Sequence, residues 1–122
     1  MLEGTSQDIN EQDGSGHSAL LYAVEMGHYH AAEWLLDQGA SATAATTLGN
    51  TPLHLLSNNV RGMRADAIDD VTFARLLIER GAPLGAPNTP YGFFPLDLAR
   101  YAGRTALADE LVASGAPAKW PL

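Results

Sequence analysis

The chain has 122 residues, 46% of them hydrophobic, and a formal net charge of −7 at pH 7. A chain of this length and composition is long enough for one globular domain and too apolar for a disordered protein. It contains no cysteine, which excludes disulfides, thiol catalysis and cysteine-ligated metals, and no apolar run near the roughly 20 residues that a membrane helix needs.

The first predicted helix pair begins at Ser18. This residue is a good N-cap because its hydroxyl can accept a backbone N–H of the first turn. We expect one helix over 18–26 and a second over 29–38, because a glycine follows each of them and glycine commonly ends a helix. Gly39 closes the pair.

The second predicted pair opens at Thr51, another N-cap, with Pro52 at the first helical position, where a missing N–H costs nothing. From Thr51 to the closing Gly81 there are 30 residues, whereas the first and third pairs have 21 from cap to glycine. The nine extra residues predict an insertion at about 58–69, with one of the aspartates at its end as the next N-cap. A long loop on a rigid scaffold is either functional or tolerated decoration, and the sequence leaves both open.

The third pair is predicted over 95–102 and 105–114. Phe94 stands where the other pairs have a capping hydroxyl, so this start is different. In the last helix, Glu110 holds the place that Trp34 holds in the first pair. We expect Trp34 to be buried between stacked pairs, and Glu110 to mark an outer face that no further pair covers.

The same pattern occurs three times along the chain. Its copies are Gly16-His17-Ser18-Ala19-Leu20-Leu21, Gly49-Asn50-Thr51-Pro52-Leu53-His54 and Gly92-Phe93-Phe94-Pro95-Leu96-Asp97. Each copy is followed by a second periodic segment that ends in Gly-Ala. A helix pair closed by glycine and repeated about every 33 residues resembles the ankyrin repeat, and the resemblance covers about residues 8–116.

The resemblance implies an all-α repeat solenoid, in which helix-turn-helix pairs are joined by β-hairpin-like loops, here called fingers. Residues 1–122 are then a single ankyrin repeat domain with repeats at about 13–45, 46–88 and 89–122. It also implies that His54 braces its turn, because the family has a histidine at this place.

Catalysis and metal binding are not predicted. Ser18, Thr51 and Asp97 stand at capping positions rather than in a triad pattern. His28 and His30 are two residues apart, which does not place them on one helix face, and no third ligand accompanies them. We therefore expect a protein that is not an enzyme and that holds no metal and no cofactor.

A binding surface is better supported, because ligands of ankyrin proteins usually meet the finger tips and the exposed side of the first helices. By position, that surface here consists of Ser15, His17, Glu25, Met26, Leu48, Asn50, Asn58, Asn59, Tyr91, Phe93 and Tyr101. Its aromatic residues cluster in the third repeat, and exposed rings are unfavourable unless they anchor something. The alternative is that Tyr91 and Phe93 pack inward on the proline-rich third finger.

We expect a non-enzymatic protein–protein interaction module in the cytoplasm, as a monomer or with weak self-association. Residues 1–60 contain seven Asp or Glu and no Lys or Arg, whereas residues 61–122 contain seven of each sign. This disfavours nucleic acid and membranes as partners and favours a basic protein, which the chain would mask or inhibit. Solubility explains the same acidity more simply. The alternative function is a structural subunit that caps or tethers a larger complex, through an edge containing Tyr22, Leu20 or Ala23.

Overall fold

The computed structural model describes residues 8–58 and 69–119, which form six α-helices and no β-strand. In chain order the helices are α1 (Ala19–Glu25), α2 (Tyr29–Asp37), α3 (Pro52–Ser57), α4 (Asp70–Glu79), α5 (Pro95–Tyr101) and α6 (Thr105–Ala113). They follow one another as three pairs. This confirms the predicted all-α repeat solenoid, and the helices of the first and third pairs end within a residue or two of the predicted positions.

Side-chain caps fix where three of the helices begin. Ser18 Oγ accepts the backbone N–H of Leu21 at 3.3 Å, and Asp69 Oδ1 accepts that of Thr72 at 2.7 Å. Thr51 caps α3 in the same way. The bond from the Thr72 N–H lowers the pKa of Asp69 below its ordinary value, because a hydrogen bond to the charged form favours that form.

His54 and Asp97 hold equivalent places in α3 and α5, and each braces its turn. His54 Nδ1 accepts the backbone N–H of Thr51 at 3.1 Å, and its Nε2–H donates to the carbonyl of Phe93 at 2.8 Å. Burial lowers the pKa of His54, so the ring stays neutral and can accept at one nitrogen and donate at the other. In the third pair the Asp97 carboxylate accepts the N–H of Phe94 at 2.9 Å, which is the counterpart of the bond between His54 and the Thr51 N–H.

Backbone hydrogen bonds join neighbouring fingers side by side. The N–H of Thr47 donates to the carbonyl of Ser15 at 3.0 Å, and the N–H of Thr89 donates to the carbonyl of Leu48 at 2.7 Å. Gly16 permits the first of these approaches, since a Cβ there would lie 2.5 Å from the Thr47 nitrogen. The three fingers, residues 13–17, 46–50 and 88–93, therefore form one connected row.

The core lies between the helix pairs, and the Asp70 carboxylate of the second pair bonds to a residue of each of the other two pairs. Tyr29 of α2 stacks on Phe73 of α4, with ring centroids 4.6 Å apart. The Tyr29 hydroxyl donates to Asp70 at 3.2 Å, and Asp70 also pairs with Arg104, the N-cap of α6. The largest fully buried side chains besides these two rings belong to Leu20, Leu21, Leu53, Leu56, Leu77, Leu96, Leu107 and Leu111.

Three expectations about exposure are wrong. Trp34 is 60% exposed rather than buried. Glu110, at the equivalent place in α6, faces the preceding pair instead of an outer surface, because its Oε1 accepts a hydrogen bond from Arg75 of α4 at 3.0 Å. Trp34 belongs to the first described pair, so no described helix covers this place. Leu20 and Ala23 are buried in the core and cannot form an assembly edge.

Some predicted features lie outside the described residues, namely Asn59 and most of the insertion at 58–69. The repeat boundaries at 13–45, 46–88 and 89–122 remain predictions. In the described part of the chain, no helix is long and apolar enough to cross a membrane, and no group of three or more acidic or histidine side chains could hold a metal ion.

Candidate protein-binding surface

The predicted surface residues fall into two groups at the two ends of the row of fingers. The first group, on the first finger and α1, is Ser15, His17, Glu25 and Met26. The second group, on the end of α3, the third finger and α5, is Asn58, Tyr91, Phe93 and Tyr101. Leu48 and Asn50 stand on the second finger between them. We call the row of fingers together with the exposed sides of α1, α3 and α5 the groove face.

His17 connects the first finger to α1. Its Nδ1 lies 2.8 Å from Ser15 Oγ, and its Nε2 lies 2.6 Å from Glu25 Oε1. The ring also stacks on Tyr22, with centroids 4.5 Å apart. Glu25, at the end of α1, is therefore held at a fixed distance from the finger tip.

Asp13 organises the tip of the first finger. Its Oδ1 accepts the backbone N–H groups of Ser15 and His17, each at 3.0 Å, and its Oδ2 accepts the hydroxyl of Tyr22. These bonds, that of Tyr22 above all, hold the pKa of Asp13 well below its usual range, and the same contact raises the pKa of Tyr22. Asp13 therefore stays charged into the acidic pH range.

An acidic cavity of about 410 Å³ adjoins this tip. Its lining includes the carboxylates of Asp8, Glu11 and Asp13 and contains no Lys or Arg. Carboxylates in one concave surface raise the local concentration of cationic groups. The first end of the groove face is therefore the end that attracts positive charge.

The two predicted residues of the second finger have different environments. Asn50 is half-buried, and its side-chain carbonyl accepts a hydrogen bond from Asn88 Nδ2 at 2.9 Å. This bond joins the second finger to the third, which gives Asn50 a bracing role that its sequence position did not reveal. Leu48 is exposed, so its side chain is available at the middle of the row.

The other end of the groove face, at the third finger, contains a mainly apolar cavity of about 370 Å³. It is lined by Asn58, Phe93, Asp97, Leu98 and Tyr101. The Asp97 carboxylate in this lining accepts backbone N–H groups of the protein. The cavity has room for one large apolar side chain, and Tyr101 at its rim is 89% exposed.

Tyr91 and Phe93 differ in exposure. Tyr91 is 66% exposed, whereas Phe93 is half-buried, and their ring centroids lie 5.7 Å apart. The ammonium of Lys119 lies 5.4 Å from the centroid of the Phe93 ring and also donates to the carbonyl of Tyr91. Inward packing thus applies in part to Phe93 and leaves the Tyr91 ring in solvent.

Tyr22, Asp13, Leu98 and Lys119 belong to this surface but were not predicted for it. Tyr22 lies three residues before Glu25 on α1, a spacing that puts both on one helix face, so the sequence did contain a signal for it. Lys119 had no such signal, because its contact with Phe93 depends on how the segment after α6 crosses the third repeat.

These features define a helical repeat protein whose fingers and first helices share one surface. Residues 1–67 match the family described as ankyrin repeats (3 copies). Over 56 residues, 46% of the chain, the sequence is 36% identical to a protein of Rickettsia bellii (strain RML369-C) described as an ankyrin repeat protein. The aligned part spans 33% of that protein's length. The chain belongs to the ankyrin repeat family, whose members are in general non-enzymatic protein–protein interaction modules.

Proposed function

We propose that this protein binds another protein through its groove face. The observation that carries the proposal lies at the third finger, where the exposed Tyr101 ring and the Phe93 ring line a mainly apolar cavity of about 370 Å³. The exposed Tyr91 ring lies 5.7 Å from that of Phe93. Aromatic side chains at the centre of an interface supply much of its binding energy because they bury large areas at low entropy cost. The cavity would take a large apolar side chain of the partner.

A basic partner surface fits the other end. The hydrogen bonds that hold Asp13 charged, and the carboxylates of Asp8 and Glu11 beside it, give the first end a negative potential. Opposite charge on a partner would speed its encounter with this end. By occupying a basic surface the protein would mask or inhibit it. The role of a subunit that caps or tethers a larger complex remains the alternative.

The proposal can be tested by affinity capture from the native host with three forms of the protein. Wild type is compared with the double variant Tyr91→Ala/Phe93→Ala and with Trp34→Ala, which removes an exposed ring from the second-helix side. A binding partner should be retained by wild type and by Trp34→Ala and lost by the double variant. A partner that stays with the double variant, in a sample whose circular dichroism matches wild type, would contradict the proposal.

A further inference from the structure

The second helices of the three pairs can be compared by counting back from their closing glycines. The place five residues before the glycine is held by Trp34, Leu76 and Glu110. The place three residues before it is held by Leu36, Ile78 and Val112. Because an α-helix turns about 100° per residue, these two places lie about 200° apart, on nearly opposite sides of each helix.

The first of these places faces the preceding pair. Glu110 of α6 shows this directly, since it accepts a hydrogen bond from Arg75 of α4. Leu76 of α4 is half-buried and packs against the core. Trp34 occupies the same place in α2 and is 60% exposed.

The second place lies on the side of the following pair, because Arg75, three residues before Ile78 on the same face of α4, donates a hydrogen bond to Glu110 of that pair. The exposure of this place rises along the chain. Leu36 is 6% exposed, Ile78 is half-buried against the core, and Val112 is 51% exposed. The two ends of the stack therefore carry the two halves of one contact. Within the part of the chain that the structure describes, Trp34 is exposed at the first end and Val112 is about half exposed at the last end.

We propose that two copies of this chain stack end to end, with the Trp34 end of one copy on the Val112 end of the next. Such a contact continues the stacking that already joins the three pairs within one chain. It uses two different patches, so it is heterologous and can add further copies in a row. The proposal concerns the ends of the stack and is independent of the groove face.

Charge favours this pairing over the pairing of two first ends. Residues 1–60 contain seven acidic and no basic residues, whereas residues 61–122 contain seven of each sign. Two first ends would bring two acidic halves together, which like charge opposes. Within the chain, Arg75 and Glu110 meet between the second and third pairs. At the junction between copies the equivalent places hold Asp109 and Trp34, so no like-charged pair meets there.

The test is sedimentation equilibrium of the full chain between about 10 μM and 1 mM, a range suited to weak contacts. Wild type should show a mass that rises with concentration and passes that of a dimer. Trp34→Asp and Val112→Asp, measured separately, should each raise the dissociation constant at least tenfold. A mixture of the two variants should form a one-to-one pair and nothing larger, because each variant keeps one intact end.

A matched control is Tyr101→Asp, which adds the same charge at an exposed ring of α5 on the groove face. It should associate as wild type does, and circular dichroism should show that all three variants are folded. A wild-type chain that stays monomeric at 1 mM would overturn the proposal. So would a Val112→Asp variant that still dimerises, which means pairing through first ends, or variants that fail to pair when mixed.

Discussion

The first and third fingers are built differently, although they occupy equivalent places in the repeat. In the first, the Asp13 carboxylate accepts the N–H groups of Ser15 and His17 and the hydroxyl of Tyr22. In the third, the side chain of Asn88 accepts the N–H of Phe93, and the neighbouring ring of Tyr91 stays in solvent. The first finger keeps a charge fixed in place, and the third keeps apolar area available.

The difference suggests that the two ends contribute to binding in different ways. Fixed charge acts over distance and changes mainly how fast a partner arrives. Apolar area acts at contact and changes mainly how slowly a partner leaves.

His54→Leu should have the largest effect, and it should act on the third finger. It leaves the Thr51 N–H and the Phe93 carbonyl without their partner, and each buried unpaired group costs about 1–3 kcal/mol. We expect the free energy of unfolding, measured in urea, to fall by about 2–4 kcal/mol. Leu21 holds the equivalent place in the first repeat, so a leucine fits the turn sterically. A loss below about 1 kcal/mol would show that these hydrogen bonds matter little.

Tyr91→Ala and Phe93→Ala should speed dissociation of the partner about tenfold or more for each good anchor, with little change in association. Surface plasmon resonance gives both rates separately. Trp34→Ala is the control, since it removes a ring of equal or larger size on the other side of the molecule. Faster dissociation for the control alone would move the interface to the second helices.

Acidification should produce a smaller effect through His54. Burial lowers the pKa of His54 in the folded protein, whereas its pKa in the unfolded chain is about 6.5. Below this pH the unfolded chain binds a proton at His54 more readily than the folded chain does. The stability present above about pH 6.5 is therefore lost as the pH falls towards the folded pKa. Urea unfolding at pH 7.5 and 5.5 should show this loss in wild type. An equal loss in His54→Leu would assign it to other groups.

Glu11→Gln with Glu25→Gln should slow association of a basic partner by about two- to fivefold and flatten its dependence on salt, with dissociation nearly unchanged. Glutamine preserves the size of each side chain, so the change is one of charge. Glu79→Gln with Asp109→Asn makes the same change in charge on the second-helix side and should leave the rates as in wild type. Equal slowing by both pairs would mean that net charge, rather than the first end, steers the partner.

Trp34→Ala should have the smallest effect on stability, within about 1 kcal/mol. The side chain is 60% exposed, so little buried area is lost. Thermal unfolding monitored by circular dichroism at low concentration, where end-to-end stacking is absent, measures this. A drop of several kcal/mol would show that Trp34 is buried in solution.

Local signals predicted the fold because each one acts within a few residues. Ser18, Thr51 and the closing glycines fix helix ends through contacts that the neighbouring sequence determines. Trp34 was predicted wrongly because its burial depends on a neighbouring pair, and the repeat pattern does not show which pair a given place faces. Exposure of a repeated position follows from its place in the stack as well as from its residue type.

The candidate site could be predicted only in outline. The family pattern indicated the finger tips, and the charge count indicated which end is acidic. The bracing role of Asn50 depends on Asn88, 38 residues away, and the position of Lys119 over Phe93 depends on the path of the segment after α6. Contacts of this kind arise from the stacking of repeats, so a single repeat's sequence does not contain them.

Amide hydrogen exchange of the protein, with and without the partner that wild type retains and the Tyr91→Ala/Phe93→Ala variant loses, tests the central claim most directly. If the groove face is the interface, protection should increase in the fingers, residues 13–17, 46–50 and 88–93, and in α1, α3 and α5. The second helices α2, α4 and α6 should exchange as in the free protein. Protection confined to the second helices would contradict the account.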